Sequence, residues 1–178
     1  IFPILLPILA VNFLIDDQNT HIGDFFFKTK KGRRNYLLSL FLSALALGIV
    51  AGILLVIFSL VFQFGFQVTV LWDPVLLSIG AYLLCPLFYL SIALILALFV
   101  KYEGVTLMTI TILLLILLPI LISIGAANIG LSFLFETPFY LLSFLGVGSV
   151  AAIDLVYTAA VVLILYLIAN WRIKRIDF

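Results

Sequence analysis

Charge, cysteine and histidine are what this chain has least of. Lys, Arg, Asp and Glu make up 10% of its 178 residues, against 66% hydrophobic residues, whereas a soluble domain is roughly half apolar and a quarter charged. With a mean hydropathy of +1.42, a soluble globular domain is excluded. A disordered chain is excluded too, because disorder needs low hydrophobicity and high net charge. Cys85 is the only cysteine, so no disulfide forms within the chain, and it reads as a small buried apolar residue. His21, the only histidine, cannot build a metal site by itself, and no metal is predicted. Nine basic against eight acidic residues give no general attraction to nucleic acid.

The patterns that carry catalysis are missing as well. There is no G-x-x-x-x-G-K-[ST] loop, so the chain cannot cradle nucleotide phosphates in the P-loop manner. A Ser-His-Asp type triad has only His21 to draw on, H-E-x-x-H is absent, and an acid dyad needs a second intramembrane carboxylate beside Asp154. No residue is assigned a catalytic role, no cofactor is expected on this chain, and the chain is not expected to be an enzyme.

What is there is a series of long uncharged runs. No charge occurs between Arg34 and Asp73, between Asp73 and Lys101, or between Glu103 and Glu136, and Asp154 alone interrupts Glu136 to Arg172. A helix needs about 20 apolar residues to cross the hydrocarbon core, and continuous apolar runs without alternation fit helices and not a barrel. The sequence therefore predicts an all-α polytopic membrane protein, a single transmembrane domain over 1–178. Its spans are 37–62, 74–100, 105–124 and 149–170, preceded by a shorter helix over 1–15. The chain begins at Ile1 without a Met, with Pro3 and Pro7 close behind, and the first helix is read as truncated.

Basic residues favour the cytoplasmic side. Lys28 to Arg34, Lys101, and the tail 171–178 with Arg172, Lys174 and Arg175 all fall on one side of this topology, which places the C-terminus in the cytoplasm. Trp72, Trp171, Tyr36 and Tyr102 stand near span ends, where amphipathic rings are favoured. The segment 125–148 is too apolar for a free external loop, and a further span there would carry the basic C-terminus outside, against the positive-inside bias. It is read as an external re-entrant helical hairpin, Leu131 to Phe135 entering and Phe139 to Leu145 leaving, with Gly146 and Gly148 turning into the last span. A loop lying flat on the membrane is the other reading.

The one long polar region is 16–36. Asp16 or Asp17 can cap a helix N-terminus, Gln18 to Phe27 then offers a short amphipathic helix, and Lys28 to Arg34 a basic loop. Phe25, Phe26 and Phe27 beside five cations either anchor this region on anionic lipid or dock a cytosolic partner.

This order of elements resembles the permease subunits of type-2 class ABC exporters, in which the segment between helices two and three is a coupling helix resting on the ATPase. Members often have an acid closing helix two, then Gly-Thr, an apolar patch and a Ser-Pro-x-Ser-Arg turn. Asp16 and Asp17 stand in the acidic place, Asn19 to Asp24 in the Gly-Thr region, Phe25 to Phe27 in the patch, and Lys28 to Arg34 in the turn. The turn has no Pro, and Ser39 stands where many members have Lys. The resemblance implies five visible spans, the first truncated, of an expected six. It implies an ATPase-binding surface at Asp17, Thr20, Ile22, Asp24, Phe25, Phe26 and Phe27, and partners comprising cytosolic ABC ATPase subunits, which would hold ATP and Mg, with a second permease copy or a paralogue in the lipid bilayer. It also implies export of a hydrophobic or amphipathic substrate, most naturally across a bacterial plasma membrane. An ion-gradient-driven transporter or channel, and a membrane scaffold, are the other classes weighed.

The remaining residues read mainly as structure. Gly48 and Gly52, with Ala44 on the same face, form a small-x-x-x-small stripe for close helix packing. Pro86 and Pro119 are expected to kink their helices. Asp154, an acid near the outer end of a span, and Glu136 are candidates either for the translocation path or for a structural role. For Asp154 that role would be capping the hairpin or bonding Tyr157 or Ser149.

Overall fold

The structure, a computed structural model, describes residues 2–20, 29–100, 104–143 and 150–175. Among these every regular element is helical: α1 (Phe2–Thr20), α2 (Lys30–Gly65), α3 (Trp72–Val100), α4 (Gly104–Ile129), a 3-10 turn (Ser132–Glu136), the single-turn α5 (Pro138–Leu141) and α6 (Ala152–Arg175). Four of them, α2, α3, α4 and α6, are long and apolar enough to cross a membrane, and the apolar part of α1, Ile4–Asp16, is shorter. The chain is a helical membrane protein.

The helices exceed the apolar runs that predict them. α2 begins at Lys30, not near Leu37, because Thr29 caps it: its Oγ1 accepts the Gly32 N–H at 3.0 Å. Lys30 to Arg34 are thus the first turns of a helix, not a basic loop, since Lys and Arg are good helix formers and water solvates their heads. At 36 residues, α2 spans about 54 Å, well beyond a hydrocarbon core of about 30 Å. α1 likewise runs on to Thr20, so Asp16 and Asp17 lie inside its last turns and do not cap a new helix. Asn12 Nδ2 donates to Asp16 Oδ2 at 3.0 Å one turn earlier. α6 continues through Trp171 to Arg175, so most of the expected tail is helix.

α4 also outlasts its predicted span, taking 125–129 from the expected hairpin. It ends where Gly130 adopts φ 74° and donates its N–H to Ala126, a left-handed cap that glycine alone adopts freely. The 3-10 turn falls on the expected entering limb, Leu131 to Phe135, and α5, opened by Pro138, on the start of the expected leaving limb, Phe139 to Leu145, of which 144 and 145 lie outside the described residues. Gly146, Gly148 and Ser149 lie outside the described residues, as do His21, Lys28, Lys101, Tyr102 and Glu103.

α3 is the centre of the bundle. Of its apolar window 50% is buried, against 22% for α2 and 17% for α6, and α1, α2, α4 and α6 all pack on it. One core cluster gathers Ala10, Ala44, Ala93 and Ala169, one alanine from each of α1, α2, α3 and α6, around Leu37, Leu90 and Leu107. Small residues let apolar helices approach closely where no hydrophobic force separates helix from lipid. A second cluster joins Cys85, Phe88 and Tyr89 of α3 to Leu115 of α4, Leu141 of α5 with Leu142 just after it, and Val162 of α6. The outer faces carry Leu42, Ile49, Val50, Ile53, Ile57 and Phe58 on α2 and Ile164, Leu167 and Ile168 on α6, an apolar exterior suited to lipid. Buried hydroxyls bond back one turn, Ser91 to Leu87 O at 2.6 Å and Thr111 to Leu107 O at 2.8 Å, which satisfies them where water is absent.

Candidate functional site

The helix ends flanking the polar segment 16–36 meet at one end of the bundle. The Ile15 side chain of α1 packs on Gly104 at the start of α4, where a Cβ would stand 2.7 Å from Ile15 Cγ2. Arg33, near the start of α2, donates from Nη1 to the Ile173 carbonyl near the end of α6 at 3.4 Å. Arg172 sets its guanidinium 5.1 Å from the ring centre of Phe99, near the end of α3, a cation–π distance. Tyr36, expected near the membrane boundary, is buried here among Leu37 and Leu40. The polar segment is therefore carried by the end of α1 and the start of α2, which touch the start of α4 and the end of α6.

Of the residues assigned to partner binding, the structure places Asp17 and Thr20 in the last turn of α1. Ile22, Asp24, Phe25, Phe26 and Phe27 lie outside the described residues.

Gly48 and Gly52 sit where α2 crosses α3. A Cβ on Gly48 would stand 2.8 Å from both Leu83 Cα and the Tyr82 carbonyl oxygen, and one on Gly52 3.1 Å from Ile79 Cγ2. Leu83 and Ile79, with Gly52, Ile49, Ile53, Val56 and Ile57, also line an apolar groove of about 390 Å³.

Asp154 is the third residue of α6, and its Oδ2 accepts the Ala151 N–H at 3.0 Å. This is the acidic arm of a capping box, and the helix dipole favours a carboxylate there. Glu136 closes the 3-10 turn in an exposed position. Among the described residues no three of His, Cys, Asp and Glu gather as metal ligands.

Three features of the middle of the bundle were not anticipated. Cys85, expected to be a buried apolar side chain, is buried but also donates its thiol to the Leu142 carbonyl at 3.4 Å, pinning the chain after α5 onto α3. Within α4, Leu113–Leu117 widen into a π turn, with the Leu118 N–H reaching back to Leu113 O. Pro119 explains it: proline gives no N–H to Leu115 in α register or to Leu114 in the wider one. At this proline, where a kink is expected from the sequence, the helix carries a π turn, a widening that is often functional. Tyr89 is 1% exposed and its hydroxyl has no hydrogen-bond partner among the described residues. It lies eleven residues before Val100, as Leu115 lies eleven after Gly104, so both stand about 16 Å from the basic end, within one cluster. Pro119 was the available signal for the turn; nothing in the sequence marked Tyr89.

Compared with family models, with curated proteins and with solved structures, the chain finds no match in any of the three.

Proposed function

We propose that this chain is the transmembrane permease subunit of an ATP-driven exporter of the type-2 ABC kind. It would move a hydrophobic or amphipathic substrate such as a peptide, drug or lipid out of the cytoplasm. The observation that carries the reading is the mounting of the polar segment. α1 and α2 hold it at both ends, Ile15 seats α1 on Gly104 of α4, and Arg33 ties α2 to Ile173 of α6. A push on this segment is then delivered to four helices at once. A separate ATPase binding ATP and Mg would bias inward and outward states through its different contact free energy with each. The pathway would lie between this bundle and a second permease copy or a paralogue, in a bacterial plasma membrane with the basic end in the cytoplasm.

The π turn at Leu113–Leu117 supports one other reading. Irregular backbone at membrane depth marks the binding sites of many gradient-driven transporters, and a secondary transporter or channel is the alternative. The two separate on purification. Extraction of the full-length chain from its native membrane in mild detergent should bring down a stoichiometric partner with vanadate-sensitive ATP hydrolysis. A clean preparation without a nucleotide-binding partner, under conditions that hold known transporter complexes together, refutes the permease reading.

A further inference from the structure

We propose that the basic end of α6 binds an anionic phospholipid, one acyl chain lying along Ile164, Leu167, Ile168 and Trp171 and the headgroup phosphate set between Arg172 and Lys174. The first observation is a groove. Those four side chains line an open apolar depression of about 430 Å³ on the lipid-facing side of α6, running toward the helix end. The second is what closes it. Lys174 is exposed and follows Trp171 at helical spacing, so it continues the Leu167–Trp171 side of the stripe, while Arg172 flanks the Ile168 side.

Charge decides the chemistry of the occupant. In the sequence the segments at this end, 16–36, 101–103 and 171–178, hold nine basic residues against five acids, and the last turns of α6 carry Arg172, Lys174 and Arg175. The Arg172 guanidinium lies over the Phe99 ring, which attracts the cation but accepts no strong hydrogen bond from its N–H groups. Its Nε is buried without a hydrogen-bond partner among the described residues. An arginine held over a ring on one flank and an exposed lysine on the other, at the foot of an apolar groove, are matched by a phosphate that carries an acyl chain. A free anion would leave the groove empty, and a neutral lipid would leave the cations unmatched.

The two tryptophans, Trp72 and Trp171, stand near opposite ends of the bundle and permit a direct test by quenching with brominated lipids in vesicles. In the Trp72→Phe protein, Trp171 is the only reporter. Brominated phosphatidylglycerol should associate there about fivefold more strongly than brominated phosphatidylcholine, and the preference should persist at about 1 M salt, where bulk screening acts within about 3 Å. Lys174→Gln, at an exposed position, should bring the ratio toward one, as should Arg172→Gln. In the Trp171→Phe protein, Trp72 should report no headgroup preference. Equal quenching of Trp171 by the two lipids overturns the proposal, and so does a preference that high salt abolishes, which means diffuse surface attraction. Relief of the preference by millimolar inorganic phosphate overturns it too, because the site then reads the free anion and not the lipid.

Discussion

Gly48 of α2 lies against the backbone carbonyl of Tyr82 in α3, so close that a Cβ at position 48 would stand 2.8 Å from that oxygen. The same carbonyl is four residues before Pro86, which has no N–H to offer it. This tight contact between the two helices thus falls where proline withholds the usual intrahelical donor.

Gly48→Ala is therefore expected to separate α2 from α3, because both atoms in the way are backbone and cannot swing aside. The cost should be about 1–3 kcal/mol, the range of overpacking in a filled core, read from the unfolding free energy in mixed micelles. Gly52→Ala meets only the tip of Ile79 and should cost less. Gly125→Ala in α4, with nothing within 4 Å, should be neutral or slightly stabilising. Equal effects at the three positions would deny that backbone approach sets the cost.

How far the sequence reveals this fold depends on which force sets each feature. The four long spans are legible because the length of an uncharged run is dictated by the thickness of hydrocarbon. Their ends are not: Lys30 to Arg34 and Trp171 to Arg175 are polar yet remain helical, since composition marks where lipid stops and not where the backbone stops coiling. The central place of α3 is equally hidden, because a helix that is apolar all round shows no face. Asp154 was legible as an oddity near a helix end, and the Ala151 contact makes it a cap. The link from Cys85 to Leu142, 57 residues apart, has no local signature at all.

The Asp154 carboxylate gives the next expectation. Asp154→Ala removes the acceptor for the Ala151 N–H and should cost about 1 kcal/mol, as cap losses do. Asp154→Asn keeps an acceptor oxygen and should retain most of the stability. If the cap is the whole role, Asp154→Asn also transports normally. Lost transport with unchanged unfolding free energy would instead place this residue on the translocation path.

The buried Tyr89 hydroxyl leads to the opposite sign. An unpaired polar group in a dry interior is destabilising, so Tyr89→Phe should leave stability unchanged or raise it by about 1 kcal/mol. A loss of stability in the same unfolding measurement would reveal a partner for the hydroxyl, such as a water held at the π turn by the carbonyls that Pro119 leaves without a donor. Unfolding Tyr89→Phe with Pro119→Ala as a double-mutant cycle tests that link, since coupled positions give non-additive costs.

The permease reading makes its sharpest demand at Phe26. If Phe25, Phe26 and Phe27 form the apolar patch on which an ATPase rests, Phe26→Asp places a desolvated charge in that contact, and a central apolar anchor lost in this way costs about 2 kcal/mol or more. Co-purification of the ATPase should then fall by more than about tenfold, while membrane insertion and the unfolding free energy of the bundle stay as in the parent chain. If the three Phe serve only to rest the loop on lipid, the outcome differs: the ATPase is recovered at parental yield, and binding of the segment to anionic vesicles is what weakens. Measuring both on one preparation decides between a docking surface and a lipid anchor.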